Sequence, residues 1–265
     1  MKTRTRPEPA PVEAGRALRR TPAQLRPVKI TVDYVDFADG SAFIEAGRTR
    51  VLATATIEDR VPPFLKGTGS GWVTAEYAML PRATTERTPR ERGNRMSGRT
   101  QEIQRLVGRS LRAVTDLRAL GERQIIIDCD VIQADGGTRA ASVTAGCVAL
   151  GLALKKMLDE GLIDHMPLRH LVAGVSVGVL GGRPLLDLDY AEDSRADLDM
   201  NVVMTDRGEL VEVQAGAEKN PFSKKDLLDL LRLAGRGVAK LIQVQKEALK
   251  KKSILFMAYG YREKP

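Results

Sequence analysis

The chain has 265 residues, 43% of them hydrophobic, enough to bury a full core in one compact unit. Its 42 Lys and Arg against 34 Asp and Glu leave a formal charge of +8, which favours a polyanionic partner, and an aromatic content of 4% disfavours a module that stacks bases on exposed rings. The only cysteines are Cys129 and Cys147, the N-terminus lacks an apolar signal, and runs such as Ile254–Tyr261 fall far short of the roughly 20 residues of a membrane span. These features predict a soluble, cytoplasmic chain with reduced thiols and no membrane partner.

Residues 1–24 are rich in Pro and Arg without hydrophobic period and read as a flexible basic tail. From Val28 short alternating or apolar runs at 28–35, 41–46, 50–57 and 71–79, punctuated by Gly, Asp and Pro, read as antiparallel strands. After Gly98 the period changes: Ile103, Leu106, Val107, Leu111 and Val114 fall on one helical stripe, with Arg105, Arg109 and Arg112 along another. A buried strand over 124–132, a Gly-Gly turn and a largely apolar helix over 139–158 follow. Strands near 170–180, 184–190, 198–204 and 209–214 and an amphipathic helix over 223–247, capped by Ser223, complete a second half with a similar rhythm. The pattern predicts an α+β fold of two related halves sharing one core, with a domain over 25–250 and a C-terminal tail over 251–265.

The available chemistry is narrow. His165 and His170 lie in a connecting segment and form no HExxH arrangement, and neither a G-x-S-x-G elbow nor a Walker A sequence is present. Three features remain. The run from Arg82 to Arg112 holds nine arginines against three glutamates; planar guanidinium forks suit phosphate oxygens, although a charge run is equally a solvated basic face. Asp135-Gly136-Gly137-Thr138-Arg139 stands between a strand and a helix, where amides can approach an anion, although such turns also serve as plain connections. Asp187, Asp189, Glu192, Asp193, Asp197 and Asp199 form an acidic stretch that fits a magnesium site, a general acid or simply solvated carboxylates. Alternation puts Leu198, Met200 and Val202 on one face of the last segment and Asp197, Asp199 and Asn201 on the other.

Taken together, the segments AEYAMLPRATTERTPRERGNRMSGRTQEIQRLVGRSLRAV, IDCDVIQADGGTRAASVT, DLDYAEDSRADLDMNVVMT and EDRVPPFLKG resemble the ribonuclease PH family from about Leu25 to Ala248. The resemblance implies an α+β fold of two pseudo-repeated halves of mixed β-sheet with packed helices. It implies a phosphate-dependent 3′→5′ exoribonuclease that trims transfer-RNA and other RNA 3′ ends and releases nucleoside diphosphates. It assigns inorganic phosphate, the co-substrate, to Arg99, Gly137, Thr138 and Arg139, and RNA to Arg82, Arg87 and Arg90. Asp193 and Asp199 match the catalytic carboxylates, which would bind a divalent ion such as Mg²⁺ or protonate the departing 3′ oxygen. The family assembles as a homohexameric ring, a trimer of dimers.

Departures from the family pattern are local. Its Asp-Gly-Arg reads Leu18-Arg19-Arg20, its Gln-Gly-Thr-Ala-Glu-Gly reads Gln214-Ala215-Gly216-Ala217-Glu218-Lys219, and its Thr-Gly after the phosphate motif reads Thr144-Ala145-Gly146. Two other classes stand against the enzyme reading: a ring subunit that binds RNA without chemistry, and a small-molecule phosphotransferase, for which no ATP-binding loop is visible.

Overall fold

A computed structural model describes residues 16, 19–91, 96–217, 220–250 and 252. Leu18, Arg92, Arg95, Glu218, Lys219 and the run 254–261 lie outside them.

The first half is a five-stranded sheet in the order β1 (Val28–Val32), β2 (Gly40–Ala46), β3 (Thr49–Glu58), β5 (Gln124–Gln133), β4 (Trp72–Met79). Strict alternation buries Val51, Ala53 and Ala55 on β3 and Ile125, Ile127, Cys129 and Val131 on β5, so one face of the sheet is core. β4 departs from the antiparallel expectation and pairs in parallel with β5. The cause is the connection: the chain leaves β4, runs through helix α1 (Gly98–Ala113) and returns to the start of β5, a helical crossover of the length parallel pairing requires.

Helix α2 (Thr138–Asp159) is apolar on nearly every side because it is covered on nearly every side. It packs on β2, β3 and β5 of the first sheet and on β6 (Val172–Leu180) of the second. By length and composition alone it would suit a bilayer, and its hydropathy is explained instead by its place in the core. Gly40 is required where α2 crosses β2: a Cβ there would collide with the carbonyl oxygen of Ala149.

The second sheet has the order β7 (Arg183–Leu186), β6, β8 (Leu198–Thr205), β9 (Leu210–Ala217), all antiparallel. Helix α4 (Lys224–Lys250) closes over β6, β1 and α2. The Ser223 hydroxyl accepts from the Asp226 amide at 3.2 Å, as its capping role predicts. Near the other end Gln245 is fully buried, and its amide donates to the carbonyls of Thr144 and Val172 at 2.9 Å each. One continuous buried cluster contains residues of both halves.

Two further expectations change. The strand read over 184–190 stops at Leu186, because Asp187 turns into the left-handed region at φ 56° and the one-turn helix α3 (Tyr190–Asp193) follows. The tail read as free through residue 24 is docked where it is described. Arg16 pairs with Glu192 at 2.7 Å, and the buried Arg20 lies 3.3 to 3.6 Å from Glu192, Asp187 and Asp189. A basic stretch that looks solvated in one dimension has found three buried carboxylates in three. Arg19, standing where the family pattern has Gly, keeps a glycine-like φ of 52°.

Candidate active site

The turn between β5 and α2 is built for backbone exposure. Gly136 and Gly137 are both left-handed, with φ of 77° and 68°, and a Cβ on Gly136 would stand 2.6 Å from the carbonyl oxygen of Leu188. Helix α2 therefore starts with no side-chain cap, leaving its first amides and its positive dipole end at the turn. Thr138, the first helical residue, is buried, and its hydroxyl lies 2.9 Å from that of Tyr77 on β4. Arg139 reaches Glu102 of α1 at 3.0 Å and the amide oxygen of Gln214 of β9 at 2.9 Å.

The acidic stretch separates into two groups. Asp187, Asp189 and Glu192 are buried partners of Arg16, Arg20 and Arg26, and Asp189 with Glu192 forms a capping box on α3. Asp197 accepts from the amide of Gly181 at 2.9 Å and so shapes a hairpin turn. The second group is Asp193, at the end of α3, and Asp199, on the polar face of β8 opposite Gly216. The protein packed around the Asp193 carboxyl, and next the charge of Asp199, push it above the usual carboxylate range, while Arg99, Arg139 and Arg26 pull it down. Asp193 thus lies within electrostatic reach of Asp199 on β8, Arg99 on α1 and Arg139 on α2.

The arginine run has several fates. Arg99 is exposed on the first turn of α1, and it lowers the Tyr77 hydroxyl, which burial has raised. Arg112 stacks over Trp72 at 4.3 Å and donates to the Val73 carbonyl at 2.7 Å, while Arg109 pairs with Glu212 at 3.1 Å. The expected basic ridge on α1 is therefore partly structural. Arg82, Arg87 and Arg90 lie on the loop after β4, and all three are exposed. The amide of Ala134 bonds the carbonyl of Ala83 at 2.8 Å, which ties this loop to the strand end that leads into the Gly-Gly turn.

Sequence reasoning misses Tyr77, Gln214, Glu102 and Arg26 as site residues. Tyr77 leaves one trace: a phenol on the buried face of β4, among Val73 and Ala75, needs a polar partner.

Two carboxylates without a third are enough for magnesium, which takes one or two protein carboxylates and completes its shell with water and substrate phosphate. Among the described residues no group of three or more potential ligands exists, so a closed all-protein metal cage is not the fit.

Residues 24–155 match the 3′ exoribonuclease family, domain 1, and residues 170–237 match domain 2 of the same family. A ribonuclease PH of Solibacter usitatus is 57% identical over 231 residues, spanning 87% of this chain and 97% of that protein. Among solved structures, rice (Oryza sativa) Rrp46 superposes with a TM-score of 0.71 at 20% identity, covering 88% of this chain and 100% of that one. A chain of the Archaeoglobus fulgidus exosome with RNA bound to its active site gives 0.73 at 21% identity, covering 87% and 92%. The two low-identity structures speak for the fold alone, whereas the matched domains and the Solibacter relative show that this chain belongs to the ribonuclease PH family of 3′ exoribonucleases.

Proposed function

We infer that the chain is a phosphate-dependent 3′→5′ exoribonuclease that trims the 3′ ends of transfer-RNA precursors and other RNAs. The observation that carries this reading is the match of both halves of the chain to the two ribonuclease PH domains, and the influence of Asp199, Arg99 and Arg139 on Asp193 supports it. Inorganic phosphate fits the turn: the amides from Gly137 onward, the Thr138 hydroxyl and two guanidinium groups offer donors around a tetrahedral oxyanion. Arg82, Arg87 and Arg90 hold the RNA backbone on the adjacent loop.

In the reaction, an oxygen of bound phosphate attacks the last phosphodiester in line. A new P–O bond forms, the bond to the preceding 3′ oxygen breaks, and that oxygen takes up a proton. The products are a nucleoside 5′-diphosphate and an RNA one residue shorter, and the reverse reaction uses the same groups. Arg99 and Arg139 offset the charge of two adjacent phosphates and hold them in line. Asp193 and Asp199 would hold magnesium or deliver the proton. Bound magnesium supplies neutralisation of the departing oxygen.

The chain works as a homohexameric ring, a trimer of dimers, in the cytoplasm, where its two buried free thiols suit a reducing medium. The test is incubation with a 3′-extended transfer RNA and Mg²⁺, with and without inorganic phosphate. Nucleoside diphosphates released only with phosphate are the expected result. Monophosphates would mark a hydrolase, and no release would favour a ring subunit that binds RNA without acting on it.

A further inference from the structure

The Gly-Gly turn has a second side. Arg26, just before β1, is buried, and all five of its N–H donors have acceptors. Nε and Nη2 grip the Asp187 carboxylate at 3.0 and 2.6 Å, and the Arg26 amide donates to the same carboxylate at 2.7 Å. Nη1 reaches the Asp135 carbonyl at 2.5 Å and the Thr49 hydroxyl at 3.3 Å, and Nη2 reaches the Gly136 carbonyl at 3.4 Å. Thr49 closes the figure, donating to the Gly136 carbonyl at 2.7 Å and accepting from the Asp135 amide at 3.1 Å. The carbonyls of Asp135 and Gly136 would repel an anion if they faced it. Here both are held on the side of β1 and β3.

We propose that Arg26, fixed by Asp187 and assisted by Thr49, is the positioning residue of the phosphate turn: it holds the two turn carbonyls away so that only donors face the anion. Its charge is spent on Asp187 and its N–H groups are used inward, so it acts through the turn and does not bind phosphate itself. A lysine, with three donors on one nitrogen, cannot reproduce the fork. The proposal rests on the assignment of phosphate to this turn, which the test keeps separate.

The experiment uses the full chain and measures two saturation constants, for inorganic phosphate at saturating RNA and for RNA at saturating phosphate. It adds the rise in Tm produced by inorganic phosphate alone. Thr49→Val, nearly isosteric, removes the hydroxyl's three hydrogen bonds to Arg26, Asp135 and Gly136 and is expected to raise KM for phosphate about tenfold. KM for RNA should stay within about twofold, since the RNA loop keeps its anchors. Thr49→Ser should restore the wild-type value. Arg26→Lys should raise KM for phosphate about a hundredfold, the scale of a misplaced reactant, and abolish the phosphate-induced rise in Tm. If Arg26→Lys does not fold, the Thr49 pair decides. Unchanged KM for phosphate in Thr49→Val, or equal losses for phosphate and RNA, would overturn the proposal. A wild-type chain that trims RNA without phosphate would overturn the phosphate assignment, and the proposal with it.

Discussion

Asp128 stands directly opposite Glu76 in the parallel β4–β5 pair, two residues from Asp130, on the face of the first sheet away from its core. Burial first, then Glu76 and Asp130, raise its carboxyl above the ordinary value of 3.8. A carboxyl raised on folding is more easily ionised in the unfolded chain, so stability is lost as pH climbs above 3.8 and through the folded value. Asp128→Asn is expected to raise Tm at pH 7 by roughly 2 °C, with the gain vanishing at and below about pH 4, as thermal unfolding at several pH values would show. The neighbouring thiol of Cys129 is pushed up to about 12 by burial, which leaves it protonated and inert. At this scale the sequence is most legible where a residue's type and its neighbours agree. Arg99, Thr138, Arg139, Asp193 and Asp199 belong to contiguous motifs, and Asp193 feels the charges of Asp199, Arg99 and Arg139 from three other elements. Arg26 and Arg20 are illegible because the carboxylate partner of each lies more than 160 residues further on.

Helices and strands are legible through their periods, and the helix α4 shows why. Leu230, Ala234, Val238, Leu241, Ile242, Gln245 and Leu249 recur every three or four residues and form its buried stripe. Gln245 is the one polar member, and its two hydrogen bonds join α4 to α2 and β6. Gln245→Ala leaves a void and two carbonyls without that donor, and is expected to cost about 2–3 kcal/mol of stability, measurable by urea unfolding. What the periods do not show is partnership. Alternation on β4 marks its buried face but says nothing of direction, and only the return path through α1 makes its pairing with β5 parallel. The run 184–190 misleads for a different reason: an apolar-acidic alternation that reads as strand is interrupted by the left-handed Asp187, whose carboxylate is the anchor of Arg26.

For the whole molecule, the charge of +8 is distributed unevenly in use. Arg16, Arg20 and Arg26 are consumed inside the fold, while Arg82, Arg87 and Arg90 stay exposed on the loop after β4. Changing Arg82, Arg87 or Arg90 singly to Ala is expected to weaken RNA binding and to lower the slope of log Kd against log salt by about 0.7 for each phosphate no longer neutralised. Binding titrations at 50 to 300 mM salt, roughly the range over which such slopes are read, would check it. Mass measurement in solution tests the ring, with six chains expected. The bond between Arg26 and Asp187 spans 161 residues of chain, and the two catalytic candidates come later still. During synthesis the N-terminal half thus emerges with an unbraced turn and no carboxylate pair. A chain that stops short of Asp187 leaves Arg26 without its carboxylate and lacks Asp193 and Asp199 as well, so it is expected to release no nucleoside diphosphate in the phosphate assay.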